Sequence, residues 1–347
     1  MLARSRKLRL TATPLSGPLL VPSISSKGFP LTDTGVTESG TALELVSQDI
    51  DEALLVSAYD LHHKLLPECD RLLGPEHHQT IYGTPRLLVL DSGGYELNRD
   101  DFESGETQRG PYHPKPFTRE DFEALVGRLP RDRDLLIVSY DSHNRPRDSY
   151  KEQRETAQRF FAGGPSHQRS DFLIKPQGND RVLDVHALTP DAPNLRCFDV
   201  IGVTEKELGE TLLDRLVLLA RLRGLLDANG CAEAPIHVFG SLDPLLTTLY
   251  FMVGAEIFDG LSWLRYAYTE GLSTHPEQLA VLKCTIEYRQ ERRNLARHMS
   301  NLDELQKLKH RLGRWAHEPD KYEHLGTWRD PLREIYETVR ARLAQEG

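Results

Sequence analysis

The chain is short of cysteine, has no long apolar run and carries no excess of positive charge, and each shortage removes a class of protein. Four cysteines, Cys69, Cys197, Cys231 and Cys284, lie far apart with no CxxC pair among them. They predict reduced thiols in a cytoplasmic setting rather than a disulfide framework. No stretch is long and apolar enough to cross a bilayer, and the basic start, Met1 to Leu10, is followed by Pro14, Gly17 and Pro18 rather than a secretory h-region. Lys and Arg number 43 against 52 Asp and Glu, a net charge of −9. A protein gripping nucleic acid by bulk electrostatics is therefore excluded, and any such contact has to be a local patch. Internal repeats and low-complexity tracts are also missing.

What is present is a series of short apolar runs alternating with helical stretches over 347 residues. The runs are Pro18 to Ile24, Glu52 to Ser57, Leu87 to Leu90, Asp134 to Tyr140, Asp171 to Lys175, Phe198 to Val203, Pro235 to Phe239 and Glu256 to Asp259. Helical patterns fall between them, at Ala42 to Ser47, Leu61 to Leu73, Arg119 to Leu129, Ser149 to Ala162, Leu208 to Asp227 and Pro244 to Val253. Continuous apolar runs are what strands buried on both faces require. Eight of them alternating with helices predict an α/β fold, a (β/α)8 TIM barrel, with a doubly wound open sheet as the alternative. Residues 1–275 are read as the barrel and 276–347 as a C-terminal helical segment packed on it.

In such a barrel the residues ending the strands converge on one mouth. Asp91 ends the third run, Asp141 follows the fourth, Gln177 and Gly178 the fifth, Gly202 sits at the sixth, Gly240 after the seventh and Asp259 at the eighth. Each alone reads as an ordinary turn; together they put three carboxylates around one opening. Carboxylates in differing environments can divide the roles of nucleophile and general acid/base. Gly93 and Gly94 behind Asp91 allow close backbone approach to a ligand.

These residues also resemble a known family, the tRNA-guanine transglycosylases and their DNA-modifying relatives that insert 7-deazaguanine bases. Asp91-Ser-Gly-Gly-Tyr95 is similar to that family's Asp-Ser-Gly-Gly-(Phe/Tyr) signature, and Val138 to Asp141, Gln177-Gly178, Ile201-Gly202-Val203, His237 to Gly240 with Pro244, and Gly254 to Asp259 resemble its later elements in order. The resemblance implies that Asp259 attacks C1′ of a nucleotide and expels guanine, while Asp91 serves as general acid/base. It further implies that Asp141, Gln177 and the backbone at Gly202 and Val203 read the purine edge, that Tyr95 stacks on its face, and that Arg265 contacts the nucleic acid. Expected partners are a nucleic acid, tRNA or DNA, and a free 7-deazaguanine base, with a homo- or hetero-oligomer possible and no membrane.

Two departures from the family pattern stand out. The family's structural zinc site needs three cysteines spaced CxCxxC and a histidine; here Cys284 and His310 are the only remnants, with Leu279 and Val281 at the first two positions. A metal-free, cofactor-free version is expected, with Cys284 a small buried residue. At the sixth strand the family's Gly-Gly-Leu-Ala-Val-Gly-Glu becomes Gly202-Val-Thr-Glu-Lys-Glu-Leu-Gly-Glu210, which leaves the inserted base undefined. Past the barrel, Arg289, Arg292, Arg293, Arg297, Lys307, Lys309, His310, Arg311 and Arg314 are either a phosphate-contacting face or a solvated one paired with Glu287, Glu291, Asp303 and Glu304. Two other functions stay open: a non-catalytic partner subunit, against which both Asp91 and Asp259 weigh, and a glycoside hydrolase, whose sugar pocket the 7% aromatic content serves poorly.

Overall fold

A strand covered on both faces must be apolar on both, yet its successive side chains still divide between two cores. The computed structural model, which describes residues 2–33, 35–98, 113–141, 145–165 and 167–346, shows this division clearly. Leu87 and Val89 point into one buried cluster with Val21, Leu55, Leu136 and Val138, while Leu88 and Leu90 join another with Leu54, Val56, Ile137 and the helices. The first cluster fills the inside of a closed barrel, and the second lies between barrel and helices.

The barrel strands are β1 (Leu19–Ile24), β2 (Ala53–Ser57), β3 (Leu87–Asp91), β4 (Asp134–Val138), β5 (Gln168–Ile174), β6 (Val200–Thr204), β7 (Ile236–Phe239) and β8 (Ile257–Gly260). All pair in parallel, and β8 closes on β1 with Asp259 opposite Val21. The (β/α)8 TIM barrel expected from the eight apolar runs is therefore the fold. At the N-terminal end a small hairpin pairs Lys7–Leu8 with Leu15–Ser16, and its Leu8, Leu10 and Leu15 plug the barrel interior. From the amino acids this segment is only basic and broken, because two-residue strands have no periodicity to detect.

Helices α1 (Glu38–Val46), α2 (Arg119–Val126), α3 (Tyr150–Phe161), α4 (Leu212–Ala228) and α5 (Pro244–Met252) surround the strands. Capping boxes start three of them, with Thr118 and Asp121, Ser149 and Glu152, and Thr211 and Asp214 satisfying each other's first-turn backbone donors. The cap at Thr211 is why α4 begins at Leu212 and not at Leu208. The helix expected over Leu61 to Leu73 is instead two short pieces, Ala58–His62 and Cys69–Leu72, separated where Pro67 is followed by Glu68 in a left-handed conformation. Beyond the barrel, α6 (Gln290–His317) packs on α1 and on a hairpin of Ala267–Thr269 and Leu272–Thr274, and α7 (Arg329–Glu346) packs on α4 and α5. Leu302, Leu305, Leu308, Leu312 and Trp315 form the buried stripe of α6. No helix among the described residues is long and apolar enough to cross a membrane. The polar segment containing Gly105, Gly110 and Pro111, and residues 142–144, lie outside the described residues.

Candidate active site

The two glycines after Asp91 are required by geometry. Gly93 has φ +89, and a Cβ there would sit 2.8 Å from that of Tyr59; a Cβ on Gly94 would sit 2.7 Å from Asp141 Oδ2. The turn thus lets the carboxylates of β3 and of the β4 end approach each other, and the Asp141 backbone N–H donates to Ser92 Oγ at 3.2 Å. The short helix Gly94–Leu97 that follows carries Glu96 into the interior, where it accepts from Ser25 Oγ and from Ser57 Oγ at 2.8 Å. Asp60 lies near it, fully buried, accepting from the Ser26 backbone N–H at 2.7 Å.

This crowding sets the acidity of Asp91. Its carboxylate keeps partial exposure at the mouth and accepts from the Gly93 N–H at 3.1 Å. Burial within dense protein, then the negative charge of Glu96, push its pKa up to about 7, with Asp259 and Asp141 adding to the rise. Glu96 and Asp60 are likewise raised, chiefly by burial.

Asp259 is an acceptor on both oxygens. Ser23 Oγ donates to Oδ2 at 2.8 Å, the Gly240 N–H donates to Oδ1 at 3.1 Å, and His237 Nε2 lies 3.2 Å from Oδ1. His237 stacks on Phe239 and places Nδ1 2.7 Å from Asp171 Oδ2. Burial disfavours charge on this imidazole, but Asp171 and then Asp259 outweigh it and raise its pKa to about 9. The result is a buried Asp171–His237–Asp259 line with an imidazolium at its centre.

Asp141 and Lys175 form the opposite wall. Lys175 Nζ lies 3.2 Å from Asp141 Oδ2 and 2.9 Å from Glu207 Oε2, and donates to Thr204 Oγ1 at 3.0 Å. Burial opposes its charge; Asp141 and Glu207 overcome that and raise its pKa. Asp141 Oδ1 is buried with no hydrogen-bond donor among the described residues. Such an acceptor is costly unless something else supplies a donor. A pocket lined by Tyr140, Asp141, Arg147, Gln153 and Lys175 opens beside it.

The remaining expected residues sit as follows. Gln177 is half-buried in the loop after β5, beside the Gly178–Arg147 bridge. Gly202 and Val203 are inside β6, paired with β5 and β7, rather than past its end. A Cβ on Gly202 would meet Asp171 Oδ1 and Phe239 at 2.7 Å, so this glycine makes room for the Asp171–His237 pair. Arg265, expected to contact nucleic acid, is buried and donates to the Tyr95 hydroxyl at 3.2 Å. Tyr95 is held from the other side by Lys27, whose Nζ lies 4.4 Å from the ring centre and donates to the Tyr95 carbonyl at 3.1 Å.

The zinc remnant does not fit a zinc site. Cys284 is exposed, contrary to the buried position expected of it, because the chain leaves the short helix Pro276–Leu282 through a left-handed turn at that residue. His310 is exposed, with Nδ1 donating to the Gln306 carbonyl of its own helix at 2.8 Å, and Val281 points to solvent. Several basic residues of α6 are already paired: Arg293 with Glu277 at 2.9 Å, Lys307 with Asp303 at 2.6 Å, and Lys309 with Glu52.

Ser23, Glu96, Asp171, Lys175 and His237 have no role among the expectations drawn from the amino acids. A usable signal existed for two of them: Asp171 heads Phe-Leu-Ile and His237 sits between Ile236 and Val238. An ionisable residue inside a doubly buried strand must find a partner. No family model matches this chain, and no curated protein matches it either.

Proposed function

We propose that this chain is a base-exchange transglycosylase, replacing guanine in a nucleic acid with a 7-deazaguanine derivative through a covalent aspartyl-glycosyl intermediate. One observation carries the reading: two carboxylates at the same mouth have opposite environments, Asp259 ringed by donors and Asp91 lifted to about 7. That divergence is what a nucleophile and an acid/base working as a pair require. Asp259 attacks C1′ as the glycosidic bond breaks, and Asp91 gives its proton to the departing guanine. The incoming base returns a proton to Asp91 and attacks C1′, releasing Asp259. Ser23, the Gly240 N–H and the His237 imidazolium orient the nucleophile. The unpartnered Asp141 Oδ1 accepts from the N–H edge of the purine, and Tyr95, fixed by Lys27 and Arg265, supports the ring. The target base has to leave its stack to reach this mouth.

The test incubates the protein with labelled guanine and 7-deazaguanine bases and, separately, tRNA, duplex DNA and single-stranded DNA. Label enters one acceptor class with the native protein and none with Asp259→Ala. Incorporation surviving that substitution removes Asp259 as nucleophile; no incorporation into any acceptor moves the reading to a non-catalytic partner subunit.

A further inference from the structure

We propose that His77, His78 and Asp132 form a binding site for a zinc-type divalent cation at the N-terminal end of the barrel. Asp132 lies two residues before β4, and the histidines occupy the short turn His77–Gln79 in the connection between β2 and β3. The site is at the opposite end of the strands from the carboxylate mouth, and it is separate from the Cys284 region. It also stands independently of the transglycosylase reading.

The geometry around His77 is the starting point. Its Nδ1 lies 3.2 Å from the Gly74 carbonyl oxygen, which can only accept, so Nδ1 carries the proton and a neutral ring turns its lone pair out through Nε2. The residue is only 5% exposed, and Nε2 is buried without a hydrogen-bond partner among the described residues. Yet Nε2 lies 2.8 Å from Asp132 Oδ1. A lone pair facing a carboxylate oxygen at that separation is repulsive unless a positive centre sits between or beside them. His78 approaches the same carboxylate from its other oxygen, with Nε2 3.0 Å from Oδ2 and its ring 3.9 Å from that of His77. One nitrogen from each histidine and one carboxylate oxygen all lie within 4.8 Å of one another.

Two imidazoles and a carboxylate are a zinc ligand set, with a fourth position left for water. Ligands at about 2.0–2.2 Å from a tetrahedral ion are roughly 3.4 Å apart, so the carboxylate has to draw back from His77 by about half an ångström while the wider separations, up to 4.8 Å, close around the ion. The Gly74 carbonyl already supplies the outer hydrogen bond that fixes the tautomer of a metal-binding histidine. His78 and Asp132 are more than half exposed, which gives the ion a way in. A bound cation would tie this turn to the start of β4, where Arg133 already donates to the carbonyls of Tyr82 at 2.6 Å and Pro85 at 3.0 Å. A proton shared with an imidazolium is the competing occupant of the gap.

The experiment uses the untagged full chain stripped by a chelator, titrated with Zn²⁺ by calorimetry and with Co²⁺ by visible absorption. One equivalent binds, and the melting midpoint rises with Zn²⁺. His78→Ala and Asp132→Ala, both at exposed positions that tolerate substitution, each weaken binding by at least about tenfold and abolish the rise in midpoint. Cys284→Ser and His310→Ala leave both readouts unchanged. Absence of a bound equivalent overturns the proposal in favour of the proton, and so does stoichiometric binding that His78→Ala and Asp132→Ala leave intact.

Discussion

The two ends of the barrel both bury charge, but in opposite ways. At the N-terminal end Arg6 pairs with Glu256 and lies 3.4 Å from Asp227, while Arg223 lies 2.8 Å from Asp227 and donates to the carbonyls of Ala234 and Cys231, each at 2.8 Å. Glu256 also accepts from the Ile236 N–H at 2.9 Å. Two cations face two carboxylates there, and among the described residues none of those carboxylate oxygens is left buried without a donor. At the C-terminal mouth seven acids, Asp60, Asp91, Glu96, Asp141, Asp171, Glu207 and Asp259, meet five cationic groups, Lys27, Arg147, Lys175, His237 and Arg265, and Asp60 Oδ1, Asp141 Oδ1 and Asp171 Oδ1 have no donor among the described residues. Removing one member of a matched cluster strands a buried charge. An acidic surplus with open acceptors costs stability, and such an arrangement is what a binding or reacting site would use.

The largest test of this contrast is Asp259→Asn. Base exchange falls by about 10³-fold or more in the labelled-guanine assay, with the melting midpoint nearly unchanged. Residual exchange within tenfold of the native rate would remove the functional half of the comparison. Glu256→Ala works at the other end: leaving Arg6 and Arg223 with Asp227 as their one carboxylate costs about 3–5 kcal/mol in denaturant unfolding, while the exchange rate per folded molecule is kept. A loss of rate without loss of stability would reverse the assignment of the two ends.

His237→Gln joins the two quantities. The exchange rate falls by about 100-fold as the positive charge 3.2 Å from Asp259 is lost. The pH dependence has a definite sign, because the His237 pKa is raised from its ordinary value to about 9. Its contribution to stability is complete below about pH 6.5 and disappears as pH rises through about 9, so native and variant melting midpoints converge across that window. Parallel curves would show that His237 carries no charge.

Glu96→Gln is milder. It removes the charge that raises Asp91 most, so Asp91 loses its proton at lower pH and the basic limb of the rate profile, expected near pH 7 in the native protein, moves down by about one unit. A limb that stays in place means that Asp91 is not the acid. Smallest of all is Arg293→Ala on α6: its half-exposed pairing with Glu277 is worth less than about 1 kcal/mol, and affinity for tRNA and DNA stays unchanged. A tenfold loss of affinity would restore the phosphate-contacting face that the basic stretch of α6 first suggested.

Much of the architecture was legible in the amino acids themselves. Strands buried on both faces must be written as apolar runs, so eight runs could be counted, and the C-terminal ends of parallel strands necessarily share one mouth, so Asp91, Asp141 and Asp259 could be brought together in advance. The site was legible as a list of acids and not as an environment. Nothing along the chain shows that Arg265 donates to the Tyr95 hydroxyl, and Cys284, expected in the core, faces solvent. Such orientations depend on neighbours far away in the chain.

Sequence alone determined the order of strands and the residue types at their ends, because periodicity and parallel topology are local and cumulative. Only the tertiary structure decided which carboxylates are partnered. The approach of Gly94 to Asp141 and the Asp171–His237–Asp259 line join segments separated by tens of residues, and the burial that lifts Asp91 to about 7 exists only in the packed barrel. The reason is that protonation follows from desolvation and from charges in space, and neither has a signature along the chain.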